Sequence, residues 1–235
     1  MLNELATAAV LSLGFTTHAA AEVDHHVQSA RIVETTAATM DGAARGHHAS
    51  ETHDVPVIYL HGAHGLAEKG CPWMRPGANE VGVLVCPEAI RPDVGGTWSW
   101  GGDVREQAVV VNGALSTARA RGASSDSAVA VGFSQGSYVA LDLVKTHRAS
   151  FRGLVLLGAE MHPSAERLCD GGVKRVVLGA GQLDGAHASM KEEAEVLGRA
   201  SCLEVRFLDL GRVGHTYAAE NTDGLRDAIV WAAGV

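Results

Sequence analysis

From Val55 to the C-terminus, six short aliphatic runs recur with longer helix-patterned stretches between them: VPVIYL (55–60), VGVLVC (81–86), SAVAVGF (127–133), FRGLVLLG (151–158), VKRVVLGA (173–180) and LEVRFLDL (203–210). The runs read as continuous rather than alternating in polarity, which is the pattern of strands covered on both faces. Residues 103–121, 135–148, 187–200 and 220–233 read as helices, the first with Val104, Ala108, Val111 and Leu115 at helical spacing. Strand and helix in alternation predict an α/β fold: a mainly parallel, twisted sheet with helices on both faces, joined by right-handed crossovers. No internal repeat and no linker divides residues 55–235, so they are read as one domain.

Reactive groups in an open parallel sheet collect at the carboxyl ends of the strands. The run at 127–133 ends in Gly132-Phe133-Ser134-Gln135-Gly136, a G-x-S-x-G sequence, and a helix pattern follows at once. A strand that turns directly into a helix forces the central residue into a strained conformation and lifts its hydroxyl above the sheet. Flanking glycines are then needed, because a Cβ there would strike a neighbouring strand or helix. The alternative is a plain helix N-cap serine after a glycine turn.

A serine hydroxyl needs a base, and the base needs an orienting acid. Asp184, in Gly181-Gln182-Leu183-Asp184, follows the next-to-last strand, and His215, in Gly211-Arg212-Val213-Gly214-His215, follows the last. Nucleophile, acid and base thus stand at three strand ends in the order this arrangement requires. Glu160 is a rival acid. Asp170 precedes a strand and so lies at the wrong edge. His187 and His162 sit in other loops and are read as rim or loop residues. The oxyanion of an acyl-transfer intermediate requires N–H donors. Gln135, after the nucleophile, offers one. The loop His61-Gly62-Ala63-His64-Gly65 offers the other, with Ala63 ahead of His64 as donor. His61 and His64 are read as loop supports, with His64 also at the substrate. Trp98 and Trp100, in GGTWSWGG, are candidates for a flat apolar wall against the substrate, or for ordinary structural tryptophans. About 14 residues separate the fourth and fifth strands, too few for a helical cap.

At this point the chain resembles an α/β-hydrolase, in the neighbourhood of small carboxylesterases, phospholipases and dienelactone hydrolases. YLHGAHG, VGFSQGS, GQLDG and GRVGHT carry the likeness over residues 55–235. The resemblance implies a Ser-His-Asp hydrolase of carboxylic esters or thioesters that needs neither metal nor organic cofactor. Two departures stand out: Ser137 replaces the second glycine of GFSQGG, and GQLDGAHASM lacks the Asp-Pro-Val-Val-Pro run of the related thioesterases. A non-catalytic binding protein on this fold and a peptidase or amidase are the alternative functions.

The charge balance, 19 Lys and Arg against 27 Asp and Glu, gives a net charge of −8. That argues against a nucleic-acid partner, which calls for a basic face. No apolar run reaches the roughly 20 residues of a membrane span. The expected partner is a small ester. Leu5–Leu13 is apolar and Ala19-Ala20-Ala21 precedes Glu22, which makes residues 1–21 a candidate signal peptide, although MLNE lacks the usual positive charge. Export is the expectation and a cytoplasmic location the alternative. Residues 22–54, polar, alanine-rich and bearing five histidines, read as an N-terminal arm, poorly ordered or supplying an edge strand around RIVETTA (31–37). No histidine spacing there points to a metal. Cys71, Cys86, Cys169 and Cys202 permit two disulfides in three pairings, or four buried thiols.

Overall fold

The computed structural model describes residues 32–33, 54–217 and 222–235. The candidate signal peptide and most of the N-terminal arm lie outside the described residues. Six parallel strands are β2 (Val55–Leu60), β3 (Gly82–Pro87), β6 (Ala128–Phe133), β7 (Phe151–Leu157), β8 (Arg175–Ala180) and β9 (Glu204–Asp209). The two-residue β1 (Ile32–Val33) pairs antiparallel with β3 at one edge. The sheet order is β1-β3-β2-β6-β7-β8-β9, and β4 (Arg91–Pro92) with β5 (Trp98–Ser99) forms a small separate ribbon.

Helices α2 (Val104–Ala120), α3 (Gln135–Lys145), α5 (His187–Leu197) and α6 (Thr222–Ala233) fall where the sequence periodicity puts them. The helix α1 (Ala67–Val81) is an addition to that reading. It holds Pro72 and Pro76, residues that ordinarily end a helix. Its buried positions nonetheless keep a helical period: Ala67, Gly70, Cys71, Met74, Gly77, Ala78 and Val81. A Cβ on Gly70 would run into the Tyr59 hydroxyl, and one on Gly77 would lie 2.9 Å from the Arg226 carbonyl oxygen in α6. Glycine is thus required where α1 presses on the sheet and on α6. The helix α4 (Ala165–Asp170) has six residues and is the whole helical content between β7 and β8, so no sizeable cap covers the sheet.

Strand side chains alternate between two cores. Val57, Tyr59, Val131 and Leu157 pack with Met74 of α1 and Ile229 of α6. Ile58, Leu60, Ala130 and Leu156 pack with Val111 of α2, Val139 of α3 and Met190 of α5. Burial of this kind contributes about 25 cal/mol per Å² of apolar surface and dominates the stability. β9 departs from the expected pattern. As the edge strand it exposes Glu204, Arg206 and Asp209 in part or in full, and Arg206 lies 4.2 Å from the Trp231 ring of α6. No helix among the described residues is long and apolar enough to cross a membrane.

The cysteines pair as Cys71–Cys86 and Cys169–Cys202. The first ties α1 to β3. The second closes a 33-residue separation that spans β8 and α5. Chain-entropy arguments give it about 3–4 kcal/mol through the unfolded state. Cys169→Ala/Cys202→Ala is therefore expected to lower the unfolding free energy by roughly that amount, read as a shifted urea midpoint. Reductant added to the wild type should cost more than this, because it opens Cys71–Cys86 as well.

Candidate active site

The chain goes from β2 to β3 on one side and then returns to place β6 on the other side of β2. This reversal opens a crevice at the carboxyl ends of β2 and β6, where open α/β sheets bind ligands. The His61–Gly65 loop leaves β2 there, and Ser134 leaves β6.

Only Ser134 separates β6 from α3, and it takes φ 52°, ψ −118°. Few residues other than glycine hold such a backbone, and those that do cluster at functional sites. Its N–H donates to the Leu157 carbonyl at 2.8 Å, and its carbonyl accepts from Ser137 N–H at 3.0 Å. The glycines around it have steric reasons. A Cβ on Gly132 would lie 2.5 Å from Ser137 Cα, and one on Gly136 would run into the Leu60 carbonyl. Ser134 stands at the N-cap position of α3, yet its side chain makes no capping hydrogen bond, whereas Asp103 and Ser164 cap α2 and α4. The plain N-cap explanation does not account for this serine.

Ser137, the departure from GFSQGG, is fully buried. Its hydroxyl donates to the Leu157 carbonyl at 3.1 Å and accepts from the Leu157 N–H at 3.0 Å. It rivets the first turn of α3 to the end of β7, a role a second glycine would leave unfilled.

Asp184 and His215 come together. Asp184 Oδ2 lies 2.8 Å from His215 Nδ1, and Asp184 Oδ1 accepts from the Ala186 N–H at 3.0 Å. The carboxylate is mostly buried and the imidazole half-exposed. Their loops are stitched to each other: Gln182 N–H donates to the Gly211 carbonyl and Leu183 N–H to the Val213 carbonyl. Gly158, at φ +58°, forms the floor. A Cβ there would sit 3.1 Å from His215 Cε1 and 3.2 Å from Asp184 Oδ2. Gly158 follows Leu157, the residue bonded to Ser134, and the Phe133 ring lies 4.8 Å from the His215 ring. Ser134, Asp184 and His215 therefore share one corner of the carboxyl edge, although no hydrogen bond joins Ser134 and His215 among the described residues. The acid beside His215 is Asp184 and not Glu160.

An aromatic cluster holds the His215 loop. Tyr217 packs 4.7 Å from Phe133 and 5.6 Å from Trp73, ring to ring, and its hydroxyl lies 2.7 Å from that of Tyr59. Burial pushes Tyr59 well above the ordinary tyrosine range, with the Tyr217 bond opposing and the charge of Glu88 adding. Burial also pushes Tyr217 up, and Tyr59 adds to it. Folded values above the unfolded ones mean full stability below about pH 10 and loss as pH climbs toward the folded values. We expect the unfolding free energy to fall above about pH 10, by up to about 1.4 kcal/mol per pH unit for each tyrosine. Tyr59→Phe/Tyr217→Phe should flatten that slope in alkaline denaturation curves.

The histidines fall largely where the sequence puts them, and Trp100 does not. His61 is buried, with Nδ1 2.8 Å from the Gly62 carbonyl and Nε2 2.8 Å from Glu88 Oε1. Glu88 in turn accepts the Ala67 N–H that opens α1. Trp100 is a correction. It is 3% exposed, so it presents no wall to a substrate. Its indole N–H donates to the His61 carbonyl at 2.9 Å, and its backbone N–H donates to Gln135 Oε1 at 2.7 Å. It is a strut between the β2 loop and the residue after Ser134. Trp98 remains half-buried, in a bridge to Gly65. His64 is exposed, its N–H taken by Ser99 Oγ and its ring 3.1 Å from Asp93. His162 pairs with Glu193, whose hydrogen bond raises its pKa, and His187 begins α5 against Phe207. The Glu88 partner and the Trp100 strut have no local sequence signal, because each depends on a loop crossing that only the fold creates.

No protein-family profile matches the chain, and no curated protein matches it in sequence. Solved structures do match in shape. An uncharacterized protein from Bacillus cereus aligns with TM-score 0.63 and 15% identity over 82% of this chain, which spans 64% of that protein's length. A Bacillus cereus carboxylesterase aligns with TM-score 0.59 and 17% identity, covering 77% of this chain and 90% of its own. A carboxylesterase from Mesorhizobium loti aligns with TM-score 0.58 and 21% identity, covering 79% and 90%. The chain has the α/β-hydrolase fold.

Proposed function

We propose that this chain is a serine hydrolase of small, soluble carboxylic esters or thioesters. One observation carries the reading: Ser134 is held in a strained, non-capping conformation beside a hydrogen-bonded Asp184–His215 pair. The mechanism is a two-step acyl transfer. His215 Nε2 takes the Ser134 proton as Oγ bonds to the ester carbonyl carbon. Asp184 keeps the other proton on Nδ1 and stabilises the imidazolium. The oxyanion receives the N–H groups of Gln135 and Ala63. Neither amide has an acceptor among the described residues, whereas the His64 N–H is already taken by Ser99. The C–O bond breaks, the alcohol leaves with the proton from His215, and water repeats the sequence to release the acid and restore Ser134.

The missing cap and the half-exposed His215 favour substrates that approach from solvent and are small. The carboxylesterase names among the structural neighbours agree with this choice of bond. The two disulfides support an oxidising compartment and hence export. Hydrolysis of p-nitrophenyl acetate, butyrate and octanoate tests the reading. The expected result is saturable turnover, fastest on the two short esters. Absence of turnover on all three by folded protein would overturn it.

A further inference from the structure

We propose a second, non-catalytic site: an oxyanion pocket at the amino-terminal edge of the sheet, opposite the carboxyl ends that carry Ser134. An open cavity of about 370 Å³ lies between the second half of α2, the α3–β7 connection and the end of α4. Arg119, His147 and Arg148 line it together with Asn112 and Ser150, and no acidic side chain does. On a chain of net charge −8 this concentrates cationic donors in one place.

Two observations point to a ligand. First, Arg148 Nε is buried and has no hydrogen-bond partner among the described residues. A buried guanidinium N–H without an acceptor is costly, and native proteins rarely leave one so. Second, α2, α3 and α4 end in the same turn, with paired bonds such as Ala123 N–H to the Ala118 carbonyl and Gly122 N–H to the Arg119 carbonyl. That turn needs a left-handed residue, normally glycine. Helices α2 and α4 use Gly122 and Gly172 there, at φ +105° and +86°, whereas α3 uses His147 at φ 51°. Of the three left-handed residues only His147 lines the cavity, so an imidazole stands there against backbone preference.

Basic residues near a helix C-terminus can simply offset its dipole. Here, however, Arg148 and His147 N–H groups already satisfy the Leu143 and Val144 carbonyls at the end of α3. The two side chains make no hydrogen bond among the described residues, although the charge of Arg148 acts on Asp103. Guanidinium forks pair with phosphate or carboxylate oxygens in the same bidentate way. The ligand class is therefore a small, multiply charged oxyanion, and Asn112 and Ser150 supply neutral polar groups at the rim.

Titration calorimetry with the full chain, at constant ionic strength, tests this with inorganic phosphate, citrate and chloride. Phosphate or citrate is expected to bind saturably and chloride not; the better of the two names phosphoryl or carboxyl chemistry. Arg148→Gln and Arg119→Gln should each weaken binding by roughly tenfold or more. His147→Gly should weaken binding while raising the melting temperature, a combination that a purely structural histidine would not give. Ser134→Ala should bind as the wild type, so the result is independent of the hydrolase proposal. No saturable binding of either oxyanion, or binding unchanged in Arg119→Gln and His147→Gly, would overturn the proposal.

Discussion

Ser134→Ala is expected to lower p-nitrophenyl acetate turnover by a factor on the order of 10⁴ or more, to the level of background attack, with the melting temperature unchanged. The two halves of this result follow from different features. The loss follows because Ser134 is the nucleophile in the proposed acyl transfer, and alanine offers His215 no hydroxyl to deprotonate. The unchanged stability follows because Ser134 Oγ caps nothing in its helix, so its removal leaves no orphaned group. Alanine also inherits the positive φ, and with it the strain. A Ser134→Gly partner separates the terms. Glycine takes φ 52° freely, so that variant should be equally inactive but more stable, by about 1 kcal/mol. A site in which the functional residue costs stability and its replacement restores it is the signature of strain held for chemistry. Retained activity in both variants would remove Ser134 from the mechanism.

Asp184→Asn should be nearly as damaging, with a fall of roughly 10³–10⁴ in turnover. The hydrogen bonds around Asp184 dictate how the amide will sit. The Ala186 N–H donates to Oδ1 at 3.0 Å and will hold the asparagine oxygen. The amide nitrogen must then face His215 Nδ1, where Asp184 Oδ2 now lies at 2.8 Å. An N–H donor there requires an unprotonated Nδ1, which moves the imidazole proton to Nε2. In that tautomer the ring cannot take a proton from Ser134. The fold should tolerate the change, because the buried polar contacts are exchanged rather than lost. A turnover within tenfold of wild type would mean that Asp184 does not orient the base.

The sheet was legible because its strands are packed on both faces and carry that in their composition. VPVIYL, AVAVGF and RVVLGA admit few other readings. The nearness of the candidate residues was legible for a related reason. Strand ends in a parallel sheet converge, so residues as far apart as Ser134, Asp184 and His215 can be brought together by topology alone. What could not be read depends on contacts between segments without local periodicity. Helix α1 was hidden by Pro72 and Pro76, which in isolation argue for a loop, and it is held by tertiary packing through Gly70 and Gly77. The pairing of Cys71 with Cys86 follows from that helix and was open until the helix was known. Trp100 read equally as a surface wall or as a structural tryptophan, because aromatic residues between glycines suit both. The fold turns it inward instead, where both of its N–H groups find acceptors. LEVRFLDL looked like the other strands, but its charges at Glu204, Arg206 and Asp209 belong to an edge.

The most direct test of the central claim is covalent. The folded wild-type chain is treated with a fluorophosphonate, which phosphonylates an activated serine and little else, and is then measured by intact mass and peptide mapping. The account expects one adduct per chain, on Ser134, with labelling slowed sharply in Asp184→Asn and abolished by prior unfolding. An unlabelled folded chain, or an adduct carried by a different residue, would contradict it.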